Sequence, residues 1–278
     1  MPQKTSIARE TIKHSLIWFV LAFAFFPFYL MFVISFKNND QFNQNPFSPD
    51  AITTWQWANW AKGWNTVYGA IANSVVVSMF AVVLCLVAAV LASYVLARYR
   101  FPGRTLVYYG LIATMFLPGT PATLITLFKL LQNLDLINSL AALVLVGATG
   151  GQVVCVFILR QFIEDIPKEL FEAAQIDGAG HLKQIWHVVL PMSGSVLTTL
   201  AIMQFIGNWN NLMLPLIIMK DPEKFTIPVG LMLLDGEYVK QWGELMAGYA
   251  ISSIPLVVLF LFTMKFFVKG LTAGAVKG

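Results

Sequence analysis

Long apolar windows with almost no charge constrain this chain more than any other feature. A helix needs about 20 apolar residues to cross a bilayer. Six windows reach that length: Ser15–Phe36, Ile71–Tyr99, Leu106–Phe128, Leu140–Leu159, Ser193–Met219 and Met246–Val268. Of the 278 residues, 58% are hydrophobic and 12% charged, where an average soluble domain is about 25% charged. In hydrocarbon every backbone group needs an internal partner, so only helices and closed barrels can span it. The apolar runs are continuous rather than alternating, which selects helices. The expected fold is an all-α polytopic membrane protein: one transmembrane domain over 1–278 with six transmembrane helices.

The distribution of basic residues orients these spans. Both termini, the 98–104 loop and the 160–191 loop fall on one side, which then holds 12 of the 18 Lys and Arg against 6 on the other. The positive-inside rule puts that side, and both termini, in the cytoplasm. Lys4, Arg9 and Lys13 precede the first run as in a signal peptide. The run is too long for a signal core of about 7–15 residues, and is read as a retained first transmembrane helix.

Several function classes drop out. The net charge of +4 follows from membrane topology, and no basic run interleaved with aromatics points to nucleic acid. Cys85 and Cys155 sit in apolar runs, as small buried residues do. With His14, His181 and His187 they make no metal pattern. There is no G-x(4)-G-K-[ST] phosphate loop, G-x-S-x-G, H-E-x-x-H or C-x-x-C. No cofactor is expected in this chain, and no catalytic residue. No acidic pair lies mid-span, as a proton-coupled carrier or an intramembrane protease would use.

The polar segments carry the remaining information. In the first external loop, 37–70, Trp57, Trp60 and Trp64 recur at helical spacing, as an interfacial anchor or a binding surface. The external loop 220–246 is charged, with Asp235, Glu237 and Lys240 around Gly236; it is a solvated loop or a contact for an outside partner. Pro118-Gly119-Thr120-Pro121 breaks the third span and frees carbonyls, which line a cavity or are absorbed by neighbouring helices. In the fifth span Gln204, Asn208 and Asn211 share a stripe beside Trp209. Amides and an indole suit a sugar, and amides equally bridge membrane helices.

The segment from Asp165 to Gly180 is too charged to cross a membrane. Pro167 suits a helix start, and Gly178 suits a helix end with positive φ. Leu170, Ala173 and Ala174 share one face. A helix followed by a glycine turn at the cytoplasmic surface is an ordinary polar loop or a lever that a moving partner can grip.

Glu172-Ala173-Ala174 and Gly178 are followed, after nine residues, by Val188-Val189-Leu190-Pro191. This resembles the EAA loop, E-A-A-x-x-x-G-x(9)-I-x-L-P, of ABC importer permeases, with Val188 in place of the usual Ile. Arg98-Tyr99-Arg100-Phe101-Pro102-Gly103-Arg104, Asn208-Trp209-Asn210-Asn211 and the tail from Val268 to Gly278 resemble the maltose-type carbohydrate importers. Asn211 departs from the acidic residue often found there.

The resemblance implies a type I importer that works by alternating access in the prokaryotic inner membrane. Its implied partners are a second permease, two ATPase subunits that hold the ATP and Mg, an external solute-binding protein and a sugar. It implies that Glu172, Ala173, Ala174, Asp177, Gly178, Leu190 and Pro191 couple to the ATPase. It implies too that the cytoplasmic tail, 269–278, would reach into the ATPase pair through Leu271, Thr272, Ala273, Gly274 and Lys277. Asp235, Gly236, Glu237 and Lys240 would meet the binding protein. Gln204, Asn208, Trp209, Asn211, Pro118 and Gly119 would line the substrate pathway. Two alternatives stay open: an ABC permease for another solute, and a stand-alone secondary transporter.

Overall fold

Every regular element among the described residues is helical, as a chain without access to water for its backbone groups requires. The computed structural model describes residues 7–117, 120–235 and 240–275, and the side chains of 7–9, 121 and 265–275 fall outside that description. The helices are α1 Ile7–Ser35, α2 Asn39–Gln44, α3 Ala58–Arg98, α4 Arg104–Thr114, α5 Pro121–Asn133, α6 Leu140–Thr149 and α7 Gln152–Asp165. They continue with α8 Lys168–Ile176, α9 His181–Gln184, a π-helical turn Ile185–Val189, α10 Leu190–Met192, α11 Gly194–Trp209, α12 Met213–Ile218, α13 Ile227–Leu234 and α14 Trp242–Ala275.

By length and composition α1, α3 and α14 each suffice to cross a membrane. Two pairs bent at a short break bring the number to five: α6 with α7 at 44°, and His181–Met192 with Gly194–Ile218 at 83°. The third expected span, Leu106–Phe128, divides into α4 and α5. Pro121 opens α5, where its missing N–H has no helical partner to lose. Pro118 and Gly119 lie outside the described residues. The six-span count is therefore not reached from helix length alone.

The segments expected as external loops also differ from expectation. α3 begins at Ala58, inside the segment read as loop, and α13 occupies part of 220–246. The helical spacing of Trp57, Trp60 and Trp64 marks this stretch, but hydropathy registers apolarity rather than helicity and leaves it out of the span.

The chain divides into two compact units, Met1–Tyr68 with Leu231–Ile254, and Gly69–Gly230 with Pro255–Gly278. In the first unit an aromatic cluster gathers on Phe36, whose ring lies 4.3 Å from Trp55, 4.9 Å from Trp57 and 5.5 Å from Trp60. The Trp60 indole donates to Ser35 Oγ at 3.2 Å. Trp60 is thus drawn inward, while Trp57 and Trp64 stay exposed. Lys37, buried at 1% exposure, pairs with Asp50 at 2.6 Å. A buried cation needs such a partner. Gly63 and Gly248 bring α3 and α14 together: a Cβ on Gly63 would stand 3.0 Å from the Gly248 nitrogen. Small residues at a helix contact allow this approach. Lys240 pairs with Asp235 at 2.9 Å, and Gly236 and Glu237 lie outside the described residues.

Among its described residues the second unit holds two cores. One joins α3, α7, α8, the π turn and α11 through Cys85, Ala89, Tyr94, Leu159, Ile163, Phe171, Val189 and Leu200. The other joins Val77, Leu131, Ala142, Leu143, Leu214 and Ile218. Asn138, in the left-handed region at φ 60°, anchors the start of the 220–246 segment. Its side-chain oxygen accepts from the Lys220 and Asp221 N–H groups at 3.0 and 3.2 Å. Its amide donates to Asp221 Oδ2 at 2.6 Å. That hydrogen bond, and after it Lys224, holds the Asp221 carboxyl below its usual range.

Candidate functional site

The motif segment builds a short helix with a defined stop. Pro167 stands at the N-cap of α8 and Glu169 lies in its first turn, where the helix dipole favours negative charge. At the other end the Gly178 N–H donates to Gln175 O at 3.0 Å and the Ala179 N–H to Ala174 O at 2.8 Å. Gly178 has φ 73°. This pair of bonds closing over a left-handed residue is a Schellman stop, so Gly178 fixes where α8 ends and which way the chain leaves.

Phe171 decides how α8 is seated. It is 2% exposed and belongs to the α3–α7–α11 core. Ala174 packs inward with it. Leu170, Glu172, Ala173, Ile176, Asp177 and Gly178 are exposed. This corrects the expected shared face of Leu170, Ala173 and Ala174: a phenylalanine one position along captures the inner side, and Ala174 goes with it. Ile176, Leu182 and Trp186 are 87%, 75% and 68% exposed. The sequence reading did not single out these three large apolar groups. Their signal was available: apolar residues in a segment too charged to cross lipid.

A second set of residues braces the segment: Arg98 and Tyr99, noted in the sequence only as part of a family resemblance, with Tyr94 and Gln184, which were not singled out. The Arg98 guanidinium lies 3.8 Å over the Phe171 ring. The Tyr94 hydroxyl donates to Gln184 Oε1 at 2.9 Å and lies 3.3 Å from His181 Nδ1. The Tyr99 hydroxyl meets the same His181 nitrogen. The Gln184 amide donates to Ala179 O at 3.0 Å, just past the Schellman stop. The C-terminal end of α3 therefore grips both helices flanking Gly178. Leu190 is half-buried and Pro191 is exposed at the start of α10, leading into α11 through Ser193.

The polar stripe of α11 faces other helices. Gln204 donates to Cys85 Sγ at 3.2 Å and to Cys155 Sγ at 3.4 Å, tying α11 to α3 and α7. Asn208 donates to Gln204 O at 2.8 Å. Two glycines make room for these amides. A Cβ on Gly147 would fall 2.1 Å from Asn208 Oδ1, and one on Gly151 would fall 2.7 Å from Gln204 Nε2. Asn211 Oδ1 accepts from the Leu214 N–H at 3.4 Å. Trp209 is 3% exposed and stacks on Phe205 at 5.5 Å, so it offers no ring face to a sugar in this arrangement. A cavity of about 130 Å³ borders Gln204, lined by Gly151, Val154, Cys155, Leu200 and Met203. Among the described residues no group of three or more His, Cys, Asp or Glu is arranged to hold a metal ion. Lys277 lies outside the described residues, as do the side chains of Leu271, Thr272, Ala273 and Gly274.

Comparison with known proteins bears on this geometry. Residues 86–273 match a family model described as a binding-protein-dependent transport system inner membrane component. The chain is 31% identical to an arabinooligosaccharides transport system permease protein of Halalkalibacterium halodurans, over 94% of each chain. It is 31% identical to a diacetylchitobiose uptake system permease protein of Streptomyces coelicolor, over 90% of this chain and 83% of that one. It is also 31% identical to a trehalose/maltose transport system permease protein of Thermococcus litoralis, over 91% of each. In structure it resembles a bacterial ABC transporter involved in the import of the acidic polysaccharide alginate. There the TM-score is 0.81, with 19% identity over 96% of this chain and 100% of the other.

Proposed function

The chain belongs to the family of binding-protein-dependent transport system inner membrane components, and on that premise we propose that this ABC permease carries an oligosaccharide and is driven through α8. In this reading α8 and the turn at Gly178 dock on an ATPase subunit that holds the ATP and Mg. A second permease completes the pathway, and an external binding protein delivers the sugar near Asp235 and Lys240. Both termini face the cytoplasm, where the basic excess lies.

The single observation that carries this proposal is the seating of α8. Phe171 anchors it, a left-handed glycine stops it, and Glu172, Ala173, Ile176 and Asp177 stand free. A short helix held rigidly from within and open on its outer side suits a partner that pushes. The saccharide class is supported by the transport names that the relatives carry.

Reconstitution with a second permease, an ATPase and a binding protein that co-purify with it tests the proposal. Uptake of labelled arabino-, malto- and chito-oligosaccharides is measured together with ATP hydrolysis. Glu172→Lys should leave insertion intact and lower uptake at least tenfold relative to hydrolysis, since an exposed carboxylate meeting a basic partner contributes about 1.5–3 kcal/mol when desolvated. Unchanged coupling in that variant rejects the docking role. ATP-driven uptake of a non-saccharide alone rejects the substrate class.

A further inference from the structure

A basic cavity outside the coupling segment is used by nothing above. It has a volume of about 270 Å³ and is lined by Arg104, Thr105, Tyr108, Tyr109 and Arg160. Arg104 and Arg160 each donate to the same oxygen, Glu164 Oε1, at 2.6 Å. Two guanidinium charges are thus held by one carboxylate, which leaves the cluster one positive charge in excess. Arg160 also lies 4.0 Å from the Tyr108 ring. Its Nε–H is buried without a hydrogen-bond partner, an arrangement that disfavours the site as it stands.

From these observations we propose that the cavity between α4 and α7 binds the headgroup of an anionic phospholipid. A phosphodiester accepts from several guanidinium N–H groups at once, and Thr105, Tyr108 and Tyr109 add hydroxyls around it. The choice of a lipid over a soluble anion rests on the rim. Tyr109, which lines the cavity, is exposed to 62%, and Phe157, stacked on the lining Tyr108 at 6.5 Å, is exposed to 46%; together they offer an apolar surface to acyl chains beside the charge. The cavity also lies at the span ends that the basic excess assigns to the cytoplasm, the side with the anionic leaflet. The inference rests on that orientation, but not on the sugar or on the docking of α8.

The test is native mass spectrometry of the purified transporter complex, taken from nanodiscs that mix phosphatidylglycerol with phosphatidylcholine. The wild type should retain phosphatidylglycerol selectively. Arg104→Gln should weaken retention about fivefold, and Glu164→Gln should strengthen it about fivefold, the effect of one charge near an anionic surface. The second variant keeps both arginines, so it decides the matter if the first does not assemble. Equal retention in wild type and both variants overturns the proposal. So does displacement of the lipid by millimolar inorganic phosphate, which would mark a soluble anion site. Neither result touches the uptake and coupling measured for Glu172→Lys.

Discussion

A Cβ added at Gly178 would meet no atom within 4 Å, yet the residue sits at φ 73°. The two facts make separable demands. The left-handed backbone disfavours alanine by about 1–2 kcal/mol, whereas asparagine tolerates it. If the glycine only shaped the turn, Gly178→Asn would transport normally and Gly178→Ala would not. If the open space is where the ATPase sits, both fail. We expect both to lose coupled uptake in the reconstituted complex, and full uptake by the asparagine variant would remove Gly178 from the docking surface. Gly147 is the opposite case, crowded rather than open. Its missing Cβ leaves room for the Asn208 amide, which would otherwise stand 2.1 Å away. Gly147→Ala should lower the thermal stability of the solubilised protein by about 1–3 kcal/mol, the usual cost of overpacking. Adding Asn208→Ala should recover most of that loss. No recovery in the double variant would show that the two residues do not share the space.

At the scale of elements, α8 depends on α3. Half-buried Arg98 over the buried Phe171 is a cation–π contact of up to about 2 kcal/mol. Arg98→Gln should therefore lower hydrogen-exchange protection over 168–176 by up to roughly thirtyfold, and Tyr94→Phe should do so less. Unchanged protection in both would mean that Phe171 seats α8 unaided. The grip of α3 on α8 also marks where sequence reading reached its limit. Glu172 and Gly178 were legible because a charged run and a well-placed glycine are local signals. Tyr94, Arg98 and Tyr99 were not, because each lies more than seventy residues from the group it holds. The span ends show the same divide. The apolar centre of α3 was plain, but its first turns are polar and helical through packing at Gly63. The break within Leu106–Phe128 was legible from Pro118-Gly119-Thr120-Pro121, and Pro121 does start a new helix there. The α11 stripe was legible as a set of amides. Its neighbours were not, since Cys85, Gly147, Cys155 and Gly151 come from other helices.

For the whole molecule, the exposed surface is the kind that lies against lipid rather than water. Along α1, Trp18, Phe19 and Phe23 are exposed to 72%, 70% and 76%, far beyond the scattered apolar groups of a water-soluble surface. The charge asymmetry then predicts which ends face which compartment. A single cysteine at Gln44 should react with an impermeant maleimide in intact cells, and one at Lys183 only after the membrane is opened. Cys85 and Cys155, each 1% exposed, should stay silent in both. Labelling of Lys183→Cys from outside would invert the topology and move α8 away from any ATPase.

The 83° elbow between His181–Met192 and Gly194–Ile218 gives this topology a mechanical reading. Its outer arm carries the exposed Leu182 and Trp186, its inner arm carries the amides that tie α11 to α3 and α7, and Ser193 alone stands between them. Such a joint has the shape of a bell crank. If its two arms turned as one piece, a pull along the outer arm would become a sideways load on the inner one, borne by the amide contacts to Cys85 and Cys155.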